Sequence, residues 1–241
     1  MDAFMKITRC GQGHKKIPPA EWIEHNGSTT VRIYLGEDKD SYVDLCDSDE
    51  AHKIDFDQAY ELRPVERDTV KIYGKESKVP RWQQSYGLDY YFSGKMHEAK
   101  PLPDIFVPLV EEIHEKTGMP KPNQFLVNWY QDGSDYIGAH SDDERQMVRG
   151  PRGESTVYSL TLQEDPGNRI FRLKPKVPKK GALPEAERKL LGKERIDIEL
   201  KHGLVVMMGG LCQVQYKHQV PATKKTVGRR INVTMRWFHD S

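Results

Sequence analysis

Short stretches in which apolar and polar residues alternate dominate the chain, and runs at helical spacing are few. Thr30–Leu35 and Tyr42–Cys46 read as short strands, followed by a helix between Asp49 and Leu62. Ile105, Phe106, Leu109, Val110 and Ile113 recur along one helix face, and Gly118 stands where such a helix ends. Pro108 fits only the first turn of that helix, where a missing N–H leaves no bond unmade. Beyond Gly118 the period shortens to that of strands. The segments are Phe125–Tyr130, Thr156–Leu162, Asn168–Leu173, Arg195–Leu200, Leu204–Met208, Gln213–His218 and Arg229–Phe238. Turn residues such as Asp132-Gly133, Asp165-Pro166-Gly167 and His202-Gly203 separate several of them. Many short strands with intervening turns predict a sandwich or jelly roll. The segment Lys174–Lys193 is too long for an ordinary hairpin loop and is expected to carry a short helix, Glu185–Leu191.

Charge changes the picture locally rather than in total. The 241 residues include 37 Lys+Arg and 36 Asp+Glu, a net of +1. Between Glu37 and Asp68 there are 12 acidic and 4 basic residues, whereas Lys217 to Phe238 holds six basic residues and no acidic ones. With the basic stretch Lys174–Arg195, this makes an electropositive face in the C-terminal half, and a phosphate backbone would respond to that local field. Three unevenly spaced cysteines (Cys10, Cys46, Cys212) exclude a disulfide framework and suggest a reducing compartment. The longest apolar run, Leu204–Met208, is far too short to cross a bilayer, and charges interrupt Met1–Cys10 before any signal-peptide core develops.

Candidate chemistry begins at His140-Ser141-Asp142. An imidazole and a carboxylate two residues apart share one side of an extended segment and can take adjacent positions around a metal. Among the other histidines His218 is the best third ligand, because it ends a strand-like segment just before Val220-Pro221; His202 and His239 flank a turn and the terminus. Two histidines and one carboxylate in facial arrangement make the Fe(II) site of non-haem oxygenases, with open positions left over. In the last strand Arg230, Asn232, Thr234 and Arg236 alternate with Ile231, Val233, Met235 and Trp237, so one face is polar and the other apolar. The polar face is either solvated or holds a dianion through its two arginines. Asn128 and Tyr130 likewise share a face of Phe125–Tyr130 and, together with that strand, could hold a small dicarboxylate beside the metal.

Four motifs in order, Asn128-Trp129-Tyr130, His140-Ser141-Asp142-Asp143-Glu144, His218-Gln219-Val220-Pro221 and Arg230-Ile231-Asn232-Val233-Thr234-Met235-Arg236, resemble the AlkB family of Fe(II)- and 2-oxoglutarate-dependent dioxygenases. The resemblance runs from about Val70 to Phe238. Upstream, Val79-Pro80-Arg81, Ser85-Tyr86-Gly87 and Tyr90-Tyr91-Phe92-Ser93-Gly94 are most similar to the branch acting on double-stranded DNA. Two departures stand out: the segment Ser159-Leu160-Thr161-Leu162-Gln163 lacks the family's small closing residue, and the basic Lys174–Lys193 insertion is long.

The resemblance implies an α+β fold: a double-stranded β-helix (jelly roll) core with helices on one side and an N-terminal nucleotide-recognition lid. It implies Fe(II) held by His140, Asp142 and His218, with 2-oxoglutarate and O2 as co-substrates. Arg230 would clamp the distal carboxylate, with Asn128, Tyr130, Asn232, Thr234 and Arg236 completing that pocket. A flipped, N-methylated base would meet Phe92 opposite the His140 ring, with Tyr90 and Glu144 at its polar edge and Arg81 and Ser93 nearby. Tyr73 and Gly74 fall where that branch has a finger loop that fills the gap left in the duplex. The implied activity is oxidative demethylation of 1-methyladenine and 3-methylcytosine in DNA, with formaldehyde released. An RNA N-methyl demethylase or a protein hydroxylase on the same iron core, and a non-enzymatic nucleic-acid-binding module, are the alternatives. The expected organisation is an N-terminal extension (1–69), a recognition lid with its supporting helix (70–120) and a dioxygenase core (121–241). The expected state is an intracellular monomer without membrane contact, nuclear location being open to a eukaryotic source.

Overall fold

The computed structural model of the chain describes residues 6–10, 20–25, 28–72, 75–92 and 95–239. In chain order the strands and helices are β1 (Ile7–Cys10), β2 (Ala20–His25), β3 (Ser28–Tyr34), β4 (Ser41–Asp47) and α1 (Phe56–Glu61). Two small hairpins flank β7 (Trp82–Gly87): β5 (Thr69–Ile72) with β6 (Lys75–Lys78), and β8 (Tyr90–Phe92) with β9 (Lys95–His97). There follow α2 (Val107–Thr117), β10 (Gln124–Tyr130), β11 (Ile137–His140), β12 (Val157–Gln163), β13 (Arg169–Pro175) and α3 (Glu185–Leu191). The chain closes with β14 (Arg195–Leu200), β15 (Leu204–Gly210), α4 (Cys212–Gln215), β16 (Tyr216–Val220) and β17 (Arg230–Arg236).

Two sheets face each other. The larger has the order β2-β3-β4-β15-β12-β17-β10-β7 and the smaller β1-β14-β13-β16-β11, the two-layer arrangement of a jelly roll. Strands β12, β17 and β10 lie side by side in the larger sheet, inside its edge strand β7, and every residue of all three is buried. One face of the larger sheet carries Trp129, Leu160, Ile231 and Val233 against Ala59 and Tyr60 of α1 and Leu109, Val110 and Ile113 of α2. The Trp129 indole donates to the Ala59 carbonyl at 2.9 Å, which satisfies its one polar atom inside that apolar layer. The opposite face packs Leu126, Val206 and Met208 against Phe171, Leu173, Ile196 and Ile198 of the smaller sheet.

Helix α2 takes Pro108 into its first turn and ends on Gly118 at φ 66°, a left-handed cap that glycine adopts without strain. The short helix expected at Glu185–Leu191 occupies that span and buries no side chain. Strands β1 to β4, from the N-terminal segment, continue both sheets: β1 pairs with β14, and β4 pairs with β15. One expected strand differs. Cys212–Gln215 forms a helical turn, with the Gln215 N–H bonded to the Leu211 carbonyl at 2.8 Å, and the strand begins only at Tyr216. The turn swings Gln213 inward and leaves Val214 exposed, an exchange that simple alternation does not reveal. Among the described residues no helix is long and apolar enough to cross a membrane.

Candidate active site

The site is assembled where β10 and β17 of the larger sheet face β11, β13 and β16 of the smaller. Antiparallel register sets Asn128 opposite Asn232 and Tyr130 opposite Arg230. In strand geometry residues two apart share a face, so Asn128 and Tyr130 look the same way as Arg230, Asn232, Thr234 and Arg236. All six line one inner cavity of about 400 Å³, counting all space between atoms, together with His140, Asp142 and His218. The polar face of β17 is therefore turned inward, not solvated.

Pairing of β11 with β16 places His140 directly opposite His218. Their rings lie 4.2 Å apart between centroids, and Phe171 stacks on His218 at 5.4 Å. One oxygen of Asp142 is 3.7 Å from His140 Nε2 and the other 3.7 Å from His218 Nε2. One ligand atom from each residue falls within 4.8 Å of the others. His140 Nδ1 bonds the Gly138 carbonyl at 2.8 Å, which assigns the proton to Nδ1 and leaves Nε2 as a lone-pair donor. The Gln213 amide oxygen accepts the Asp142 N–H at 2.9 Å and fixes the main chain of the loop.

Electrostatics prepare these groups for a cation. Burial pushes the His218 imidazole down to about 3, with His140 adding to the effect, and burial lowers His140 as well. Both rings are thus neutral near pH 7 and need lose no proton to a metal. Burial alone would raise Asp142, but Arg236 and the two imidazoles outweigh it and hold the carboxyl below its usual range. Arg236 donates from Nη2 to Asp142 at 2.9 Å and from Nη1 to Glu144 at 3.1 Å. Glu144 is raised by burial, and its second oxygen is buried with no hydrogen-bond partner.

Arg230 decides what else fits. Its Nη2 donates to Thr161 at 3.0 Å, while Nε and Nη1 are buried with no hydrogen-bond partner among the described residues. Burial lowers its pKa to about 10, so it remains charged at neutral pH. A buried guanidinium with two unmet donors is a fork shaped for a carboxylate. The residues present fit a divalent metal at one end of the cavity and a carboxylate-bearing ligand at the other. The sequence pattern described as the 2OG-Fe(II) oxygenase superfamily matches residues 52–236. DNA oxidative demethylase ALKBH2 of Mus musculus is 32% identical over 204 residues, covering 81% of this chain and 78% of the relative.

The chain belongs to the AlkB family of 2OG-Fe(II) oxygenases.

ALKBH2 of Bos taurus is 29% identical over 230 residues, covering 92% of this chain and 77% of the relative. The alpha-ketoglutarate-dependent dioxygenase alkB homolog 3 of Rattus norvegicus is 33% identical over 218 residues, covering 89% and 66%. As an AlkB-family dioxygenase the chain uses Fe(II), 2-oxoglutarate and O2.

The inner cavity meets an outer cleft of about 2160 Å³, counted in the same way, at His140, Asp142 and Arg236. Arg81, Glu144 and Met96 also line this cleft. Arg81 donates to Asn128 at 2.7 Å and to Gln83 at 2.9 Å, which joins the cleft wall to the cavity wall. Of the remaining expected substrate residues, Tyr73, Gly74 and Ser93 lie outside the described residues. Tyr90 and Phe92 belong to β8, but their side chains also lie outside the described part. Gln213, Phe171, Thr161 and Ser159 escape a motif-based reading. Phe171 and Thr161 occupy alternate positions of apolar strands, whereas Gln213 stands in a stretch that alternates like a strand and folds as a turn.

Proposed function

We propose that this dioxygenase removes N-methyl groups from nucleobases in DNA, taking 1-methyladenine and 3-methylcytosine as substrates. The observation that carries the reading is the pairing of the inward Arg230 fork with the His140–Asp142–His218 cluster in one cavity that opens into a cleft. Relatives named as DNA oxidative demethylases supply the substrate class. In this reading His140, Asp142 and His218 hold Fe(II), and Arg230 holds the distal carboxylate of 2-oxoglutarate. Asn128, Tyr130, Asn232 and Thr234 shape the cavity around it. Bound Fe(II), with 2-oxoglutarate and O2, supplies the oxidation that hydroxylates the N-methyl group, after which formaldehyde leaves and the base is restored.

The chain's own groups account for selectivity. Arg236 keeps Asp142 ionised and anchors Glu144 beside the cleft. The unpartnered Glu144 oxygen suits the exocyclic amino group of a cationic methylated adenine or cytosine. A methyl group on the pairing edge has already broken the base pair, so extrusion costs less than for an intact pair. Phe92, Tyr90, Ser93 and Arg81 are proposed to receive the flipped base. The β5–β6 hairpin, between whose strands the sequence places Tyr73-Gly74, supports duplex DNA as the substrate form. The enzyme is proposed to act as an intracellular monomer.

The test is demethylation of defined single- and double-stranded oligonucleotides carrying each lesion, with His140→Ala as control. Formaldehyde and the unmodified base are expected from the parent protein and neither from the variant. Persistence of both lesions in every strand context, while 2-oxoglutarate is still consumed, rules the reading out.

A further inference from the structure

Arg169 opens β13 and sits on the interior face of the smaller sheet, two residues before Phe171, which stacks on His218. Only 1% of its surface is exposed. Its three hydrogen bonds all go to main-chain carbonyls: Nη1 to Asp132 at 3.0 Å, Nη2 to Asp135 at 2.6 Å and to Pro221 at 2.9 Å. Nε is buried and has no hydrogen-bond partner among the described residues. The carboxylate of Asp135, whose carbonyl Arg169 bonds, is itself taken by the two-pronged Arg67 at 2.8 and 2.9 Å and by the Gln131 N–H. A full charge has thus been placed inside the fold with carbonyl dipoles as its hydrogen-bond partners and the Asp135 and Asp132 carboxylates acting only at longer range, where a neutral donor would satisfy the same acceptors.

Its surroundings say what the charge is for. Asp132 and Asp135 belong to the turn that leads into β11 and His140, and Pro221 follows β16, three residues after His218. Above the guanidinium lies Tyr130, its ring centroid 5.7 Å from Arg169 Cζ, and the same ring has Arg230 Cζ at 5.0 Å. Two buried cations therefore share one phenol at the inner end of the cavity, and each makes the other's charge harder to hold. An anion at that end relieves both.

We propose that Arg169 is a positioning residue for the co-substrate, whose buried charge, acting through Tyr130 and beside Arg230, makes the inner cavity select a doubly charged keto acid. The proposal rests on the reading of that cavity as the 2-oxoglutarate site. Arg169 does not line the cavity itself, so it acts by its field and by holding Tyr130 and the two turns in place. At roughly 10 Å and an effective dielectric of about 20, one unit charge changes the affinity for a carboxylate by about tenfold.

Calorimetric titration of Mn(II)-loaded protein with 2-oxoglutarate and with 2-oxopentanoate, which carries a methyl in place of the distal carboxylate, separates charge from shape. Arg169→Gln is expected to weaken 2-oxoglutarate about tenfold and to leave 2-oxopentanoate within about twofold, while Arg169→Lys keeps 2-oxoglutarate within about threefold. Equal losses for both keto acids overturn the proposal, as does unchanged 2-oxoglutarate affinity in Arg169→Gln. If Arg169→Gln does not fold, Arg169→Lys decides: the same small loss supports the proposal, and a tenfold loss with either keto acid overturns it. Arg230→Met serves as the control for the cavity itself. If it binds 2-oxoglutarate as well as the parent does, the co-substrate reading fails whatever Arg169 shows.

Discussion

Replacing Arg236 with methionine isolates the interaction between the proposed metal ligand and its resident cation. The guanidinium is almost wholly buried and bridges Asp142 and Glu144. Removing one member of a buried ion pair costs about 3–5 kcal/mol, because the partner's charge is left uncompensated. For a chain of this size each kcal/mol moves the melting temperature by about 2–4 °C, so Arg236→Met should melt about 10 °C below the parent without metal. A divalent ion bound by His140, Asp142 and His218 restores a positive neighbour to Asp142 but not to Glu144. The gap between parent and variant should therefore shrink to about half when Mn(II) saturates both. Differential scanning calorimetry with and without Mn(II) measures the two gaps, and Asp142→Asn should show little stabilisation by the ion. An equal gap in both conditions would refute the reasoning, since Arg236 would then be stabilising something other than the ligand carboxylate.

Gln213→Ala should lower Mn(II) affinity about tenfold by releasing the Asp142 main chain, as loss of a group that orients a ligand does elsewhere; equilibrium dialysis reads this directly. Burial pushes the Cys46 thiol up to about 11 and that of Cys212 up to about 12. At pH 8 about 0.1% of Cys46 is thiolate, so peptides containing either residue should stay almost free of iodoacetamide label in the native protein by mass spectrometry and label fully after unfolding. Tyr73→Ala should lower demethylation of duplex substrates more than of single strands, and equal losses would remove the finger role.

How much of this was legible in the sequence depended on whether a signal was local. The alternation in Arg230–Arg236 announced a strand with one polar face. Whether that face met water or a cavity was open, because only the neighbours β10 and β12 and the opposing sheet decide it. His218 declares itself as a partner for His140 only by ending a strand-like segment and by its place in the motif order, since the two are joined by a register between distant segments. Strand β7, with sequence WQQSYG, and strand β11, with sequence IGAH, carry too few apolar residues to declare themselves. Gln213-Val214-Gln215 imitates the alternation of a strand, two glutamines flanking a valine, yet folds as a turn. In the sequence Arg169 is one basic residue beside a turn, and its burial is visible only once β13 is seen to face Tyr130.

Among the described residues strand β11 is the outermost of its sheet and pairs with β16 alone. A slip of one residue would turn every side chain of β11 to the other face and separate His140 from His218. An ion held by one ligand on β11, one in the loop just after it and one on β16 works as a non-covalent staple along that seam. Loading the protein with metal should accordingly slow amide hydrogen exchange along Ile137–His140 more than in the buried centre of the larger sheet. Over the course of sequence divergence, insertions should be tolerated between Pro221 and Arg229, past the staple, and rejected between Tyr216 and His218, where they would undo it.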